Sequence, residues 1–316
     1  MMRAIQIHAA EQASVVKRPI PEPGPGQVLV KVKAVTTCPQ WDLHIYYGKP
    51  MFIHQKSVPF PYPPGQPGHE MTGTVERTGE GCTLKPGQTV SAWKDPGHEN
   101  PGCYAEYVLM DEKHLILVPP DLHYSKVVSL ELTMCVGASI KRMKEMVGIE
   151  NKKCAVNGLG PAGLIALQML KAEGASEVVG IDPVPARRAL AEQFGAARCY
   201  QPEAKEIVPR NREGAFDIAI DCVGYASAVR YIMDHTVEAV ALFAVQREDY
   251  ILHHPRLSVI GYPGHSREAA EYALDLIRNN KLDLAPLISY ELPFEDYVKG
   301  VELLRKQEAI KICFIP

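Results

Sequence analysis

The chain has 316 residues, 46% hydrophobic and 22% charged, with a formal net charge of −3 at pH 7. That length suggests about two domains, each large enough to bury its own core, with a composition ordinary for a globular protein in water. No Lys or Arg run suits a nucleic acid, no apolar stretch nears the roughly 20 residues that span a bilayer, and Met1–Glu11 lacks the pattern of a signal peptide, so neither nucleic acid nor membrane is expected as a partner.

From Met1 to about Leu132 the pattern is of short strands broken by Pro and Gly. After the turn-rich Pro21–Gly26, residues Gln27 to Val35 alternate with a period of two, as a half-buried strand does. Met71–Arg77 and Ala105–Met110 read as further strands, while Val58–Gly68 carries five prolines and reads as an irregular loop. The segment suggests a small barrel-like β domain.

From about Glu150 to Gly261 strands alternate with helices, which argues for a parallel, doubly wound α/β sheet. The first unit of that run is a strand at Lys153–Asn157, a turn Gly158-Leu159-Gly160-Pro161-Ala162-Gly163, and a helix from Pro161 to Ala172. GxGxxG in this setting is a dinucleotide fingerprint: one glycine for the tight turn, one for approach of the pyrophosphate, one for helix–strand packing, with the phosphates at a helix N-terminus. Asp182 ends the next strand about 20 residues on, where an acid accepts from the ribose hydroxyls. An acid there repels a 2′-phosphate and favours NAD over NADP. The competing reading of Asp182 is a cap for the following helix, and Arg187 and Arg188 just beyond it weaken the NAD preference. Strands at Phe216–Asp221 and Val240–Ala244 follow, then helices near Arg267–Arg278 and Phe294–Arg305 and a last strand Ile310–Ile315.

The eight cysteines (Cys38, Cys82, Cys103, Cys135, Cys154, Cys199, Cys222, Cys313) form no CxxC pair and no short-spaced framework, which suits a reducing compartment, most simply the cytosol. Cys38, His69 beside Glu70, and Cys135 are the residue types a catalytic zinc takes, with three protein ligands and one open position. Each alone is more often structural.

In order and spacing these signs resemble the zinc-dependent medium-chain dehydrogenase/reductase (alcohol dehydrogenase) family over almost the whole chain. The resemblance rests on Pro-Glu-Pro-Gly-Pro-Gly-Gln-Val-Leu-Val-Lys-Val, Gly68-His69-Glu70 and the strand after it, Lys85-Pro86-Gly87, Cys103–Tyr107, the glycine motif, and Phe216–Gly224. It implies a discontinuous GroES-like, β-rich catalytic domain (1–136 and 265–316) around a Rossmann NAD-binding domain (137–264), with the two sites meeting at the cleft. It also implies one catalytic Zn2+ held by Cys38, His69 and Cys135, with Glu131 as a rival third ligand, and Glu70 as the acid beside the metal. The second Gly97-His98-Glu99 is treated as a decoy, and the four clustered cysteines of a structural-zinc lobe are missing.

Two departures stand out. The family's hydroxyl two residues after the first ligand is lacking in Cys38-Pro39-Gln40-Trp41-Asp42-Leu43-His44, so Asp42 is left as a candidate acceptor for His69 and His44 as a candidate proton relay. The usual Pro-Gly-Gly turn is absent at His235–Glu238. Trp41, Tyr46, Tyr47, Phe52 and Trp93 are candidates for a substrate wall. The expected reaction is hydride transfer between a small-molecule alcohol, or its carbonyl product, and NAD by a homodimer or homotetramer. The rival readings are a zinc-free quinone or enoyl reductase of the same superfamily and a non-catalytic nucleotide-binding protein.

Overall fold

The computed structural model describes residues 1–52 and 57–316. They fall into two units, Met1–Leu132 with Asp283–Pro316, and Thr133–Leu282. The first unit opens with strands β1 (Met2–Ala9), β2 (Gln12–Arg18) and β3 (Gln27–Thr36), helix α1 (Pro39–Tyr46), then β4 (Glu70–Thr78), β5 (Thr89–Ala92), β6 (Tyr107–Asp111) and β7 (Leu115–Leu117). Helix α2 (Leu130–Val147) carries the chain into the second unit. There β8 (Lys153–Asn157), α3 (Pro161–Ala172), β9 (Glu177–Ile181), α4 (Pro185–Gln193), β10 (Arg198–Tyr200), β11 (Phe216–Asp221), α5 (Ala226–Asp234), β12 (Thr236–Leu242), β13 (Ser258–Gly261) and α6 (Arg267–Arg278) follow. The chain then returns to the first unit with β14 (Ile288–Pro293), α7 (Tyr297–Arg305) and β15 (Lys311–Ile315).

The alternation read in residues 27–35 becomes β3, which buries Val28, Val30 and Val32 while Lys31 and Lys33 face out. Its sheet has the order β14-β15-β3-β4-β5-β7, with β6 also paired to β3. Ile5, Val30, Met71, Val75, Tyr104 and Phe314 lie in the core beneath it. At one end of this sheet Thr36 pairs with Glu70 of β4 and with Cys313 of β15, so three strands separated widely in sequence deliver their ends to one place.

The second unit is a six-stranded sheet of order β10-β9-β8-β11-β12-β13, parallel throughout. It is the doubly wound Rossmann arrangement, whose strand order reverses beside β8. β8 and β11 are buried along almost their whole length, as strands covered on both faces are.

Three features differ from the expectations. The second boundary falls at Leu282/Asp283, not near residue 264. The reason is that α6 packs on α2: a Cβ at Gly137 would sit 3.4 Å from Tyr272 and 3.5 Å from the Ala269 carbonyl, and Lys141 pairs with Glu268. Residues 39–46 form a helix rather than a loop, with Pro39 in the first turn, where its missing N–H is no loss. At His235–Glu238 no turn is needed, because α5 runs straight into β12: Thr236 is buried and its hydroxyl donates to the Ile232 carbonyl at 2.7 Å.

Candidate functional site

In the first unit Cys38, His69 and Glu70 each place one ligand-type atom within 4.8 Å of the other two. Cys38 is the N-cap of α1, immediately past the end of β3. His69 and Glu70 sit at the entry to β4, where Gly68 is required because a Cβ would come within 2.7 Å of the Tyr104 ring. The His69 Nδ1 faces the Pro67 carbonyl at 2.8 Å. A carbonyl only accepts, so Nδ1 carries the proton and Nε2 is the nitrogen that could ligate a metal. That Nε2 lies 3.6 Å from Oε2 of Glu131, in the first turn of α2. The separation is too long for a good hydrogen bond, and the two atoms face a common space.

The charges explain why these groups tolerate one another. Burial opposes a charged His69, but its hydrogen bond with Cys38 and the carboxylates of Glu131 and Glu70 outweigh that and raise its pKa well above the ordinary value. Burial also raises the pKa of Glu70, while Lys311 pulls it back. The Lys311 Nζ lies 2.7 Å from both Glu70 oxygens, and neither side chain has any solvent exposure. Thr36 donates to Glu70 Oε2 at 3.1 Å and lies 2.9 Å from the Ser129 hydroxyl. Nothing in the sequence patterns singled out Lys311; its signal is a lysine opening an otherwise apolar strand.

Several expectations need correction. Asp42 does not orient His69, whose ring N–H is taken by Pro67. Its Oδ2 accepts from the Cys38 backbone N–H at 3.0 Å, and its Oδ1 accepts from the hydroxyls of Tyr104 and Tyr297. Asp42 therefore fixes Cys38 at the start of α1. Burial pushes its pKa up to about 6, against the pull of the two tyrosines and of His69. His44 faces the Pro50 carbonyl with Nδ1 at 2.9 Å, which puts its basic lone pair on Nε2. Cys135, one turn beyond Glu131 on α2, accepts from the Tyr262 hydroxyl at 3.2 Å and lies within 4.8 Å of His265.

Among the aromatic candidates, Trp41 approaches His69 edge-on at 6.4 Å and Phe52 approaches Trp41 at 5.7 Å. Tyr46, Tyr47 and Trp93 instead hydrogen-bond to Glu11, Glu302 and Lys113. His98, set aside as part of a decoy motif, stacks on Trp41 at 4.4 Å.

In the second unit the three glycines of the fingerprint meet three different constraints. Gly158 has φ +88°, and a Cβ there would come within 2.7 Å of Val223. Gly160 has open space where a Cβ would point, as a backbone that must approach a ligand requires. At Gly163 a Cβ would fall 1.8 Å from the Gly158 carbonyl oxygen. Pro161 and Ala162 open α3 behind Gly160, so the helix N-terminus faces the turn. Asp182 is buried at the end of β9, accepting from the N–H of Leu159 and of Val184 at 2.8 Å each, with Arg187 3.6 Å away. Asp182 is not the cap of α4, whose N-cap is Val184 without a side-chain cap bond; it closes the turn before that helix, and each of its oxygens retains a lone pair.

Comparison with known proteins follows these two sites. Residues 24–120 match the family described as "Alcohol dehydrogenase GroES-like domain", and residues 161–246 match "Zinc-binding dehydrogenase". The L-threonine 3-dehydrogenase of Bacillus subtilis is 29% identical over 94% of this chain and 93% of its own. The (R,R)-butanediol dehydrogenase of the same organism is 26% identical over the full length of both. The crystal structure of 2R,3R-butanediol dehydrogenase from Bacillus subtilis superposes with a TM-score of 0.86, 25% identity and full coverage of both chains. The chain belongs to the zinc-dependent medium-chain alcohol dehydrogenase family. It is a zinc-type oxidoreductase of alcohols that uses a nicotinamide cofactor.

For this dehydrogenase the glycine geometry separates binding from folding. Gly160→Ala should leave the thermal transition unchanged while weakening NADH binding, because its methyl enters only the space a pyrophosphate would occupy. Gly163→Ala should lower the transition itself, since it drives α3 off the Gly158 carbonyl. Fluorescence titration with NADH beside a melting curve reads both, and equal destabilisation by the two variants would contradict the assignment.

Proposed function

We propose that this dehydrogenase oxidises a secondary alcohol bearing a neighbouring hydroxyl or amino group, using NAD and one zinc held by Cys38, His69 and Glu131. The observation that carries the reading is the approach of Glu131 to His69, 3.6 Å between Oε2 and Nε2. A tetrahedral zinc with bonds of about 2.0–2.2 Å would hold its N and O ligands roughly 3.3–3.5 Å apart, so the donors fit without large movement. A thiolate and a carboxylate would balance the dication, and Cys135 is not needed as a third ligand.

Zinc in such a site supplies Lewis-acid polarisation of the alcohol oxygen and brings the pKa of its proton toward neutrality. The chain's own groups do the rest. Asp42 holds Cys38 in place through its backbone N–H, and the Pro67 carbonyl sets the His69 tautomer. Trp41, Phe52 and His98 wall the space beside His69 and limit its water. The hydroxyls nearest the cluster are committed elsewhere, Thr36 to Glu70 and Ser129 and Thr37 to the Ile312 N–H. His44, with its basic Nε2, is therefore the favoured acceptor of the alcohol proton through water. The α3 N-terminus takes the pyrophosphate and Asp182 the ribose, which favours NAD.

The substrate class follows the relatives' names: threonine carries its 3-hydroxyl beside an amine, and butanediol carries neighbouring hydroxyls. A zinc-free reductase would have no use for this donor cluster. No disulfide joins any of the eight cysteines, which supports a reducing compartment such as the cytosol. Among the described residues no helix is long and apolar enough to cross a membrane. Among the described residues β13 is an edge strand of its sheet, which a second copy could pair, consistent with a homodimer or homotetramer.

Three outcomes test this reading. Elemental analysis should give one zinc per chain, with Glu131→Ala losing it and Cys135→Ala keeping it; the reverse pattern would restore Cys135 as the ligand. Efficiency with NAD should exceed that with NADP, and Asp182→Gly should narrow the gap; comparable use of both by the wild type would refute the cofactor assignment. In a pH–rate profile of alcohol oxidation, His44→Gln should lose turnover by about a hundredfold near neutral pH, the usual worth of a placed base. The defect should shrink as hydroxide becomes abundant, whereas superimposable profiles would make His44 a bystander.

A further inference from the structure

Glu70 lies close enough to the metal ligands to be one of them. One of its oxygens is within 4.8 Å of both the Cys38 sulfur and the His69 nitrogen. Yet both oxygens are held by Lys311 at 2.7 Å, and Thr36 takes one of them as well. The Lys311 side chain is fully buried, although lysine is among the residues least often found inside a protein. A buried ion pair is seldom retained for stability, because the desolvation of both charges offsets their attraction. The Lys311–Glu70 pair must therefore be explained by what it does beside the metal centre.

We propose that Lys311 is a positioning residue that keeps Glu70 outside the ligand shell of the metal. The proposal rests on the metal reading above. Cys38 and Glu131 as anions balance a dication; Glu70 adds one more negative charge, and Lys311 returns the cluster to neutrality. Paired in this way, Glu70 supports the negative potential around His69 without closing the open position that a substrate oxygen needs. Without the ammonium, the buried carboxylate has one charged partner left, the metal, and it moves the short distance to bind it. Lys311 reaches the site because β15 pairs with β3, and the Thr37 and Ile312 backbones lock that register through an N–H to carbonyl bond of 2.9 Å. Lysine suits the role better than a shorter side chain: its flexible stem crosses the core and ends in a compact point charge.

The test loads the full chain with Co(II) in place of zinc and records the d–d absorption and the rate of metal loss to a chelator. In Lys311→Met the added carboxylate should lower the d–d intensity, as higher coordination does, and slow metal loss by about tenfold. Turnover should fall by roughly 10–100-fold, the usual scale for disturbing the groups around a metal site. Lys311→Arg, which keeps the charge, should restore the wild-type spectrum. The double variant Glu70→Gln/Lys311→Met removes the pair without leaving a lone buried charge. It should fold even where the single variant does not, and should return the wild-type spectrum and release rate. A Lys311→Met protein with the wild-type spectrum and release rate would overturn the proposal. So would a double variant with an altered spectrum, since Glu70 would then be a resident ligand. A wild-type chain that takes up no cobalt would point instead to failure of the metal reading itself.

Discussion

Concentrating a thiol, an imidazole and two carboxylates in a space nearly closed to water is costly unless positive charge meets them. This constraint organises the first unit. Lys311 meets Glu70 directly, and the raised pKa of His69 shows that the remaining negative potential is strong enough to overcome burial. Asp42, a further buried acid near the same ligands, is handled differently. It is stabilised by neutral donors, two tyrosine hydroxyls and a backbone N–H, and burial keeps its pKa high. One acid is met by a cation and the other chiefly by hydrogen bonds.

The strand order explains how these groups come together. Cys38 follows β3, Glu70 opens β4 and Lys311 opens β15, and β3 is paired with both of the others. A shift of one residue in either pairing would turn the side chains to the opposite face of the sheet and disperse the site. The hydroxyl network of Thr36, Thr37 and Ser129 ties the same strand ends to the first turn of α2, where Glu131 sits. The catalytic unit is thus held by a sheet end rather than by a mobile loop, which suits ligands that must keep fixed separations.

The second unit uses backbone where the first uses side chains. Its anion site is a helix start, an open glycine and a turn that no Cβ could enter. Asp182 has a structural part in this turn: by accepting from the Leu159 N–H it braces the glycine turn from the end of β9. Loss of this residue would therefore disturb the turn as well as the cofactor preference.

Period and punctuation made much of this legible in one dimension. The alternation of Gln27–Val35, the glycine spacing at 158–163 and the acid at Asp182 are local patterns, and local patterns survive in sequence because strands, turns and helix starts are set by neighbours along the chain. The residue types of the metal cluster were legible for the same reason, since Gly68-His69-Glu70 is contiguous. What the chain order could not reveal was which distant groups meet. Glu131, on α2, comes to 3.6 Å from His69, which lies far away in sequence. Asp42 read as an acceptor for His69 because its actual partners, Tyr104 and Tyr297, are far away in sequence. Lys311 read as an ordinary strand residue because its partner lies 241 positions earlier. Residue types and local geometry were determined by the sequence alone, whereas the meeting of Lys311 with Glu70 and of Glu131 with His69 was decided by sheet register and helix packing, which exist only once the chain has folded.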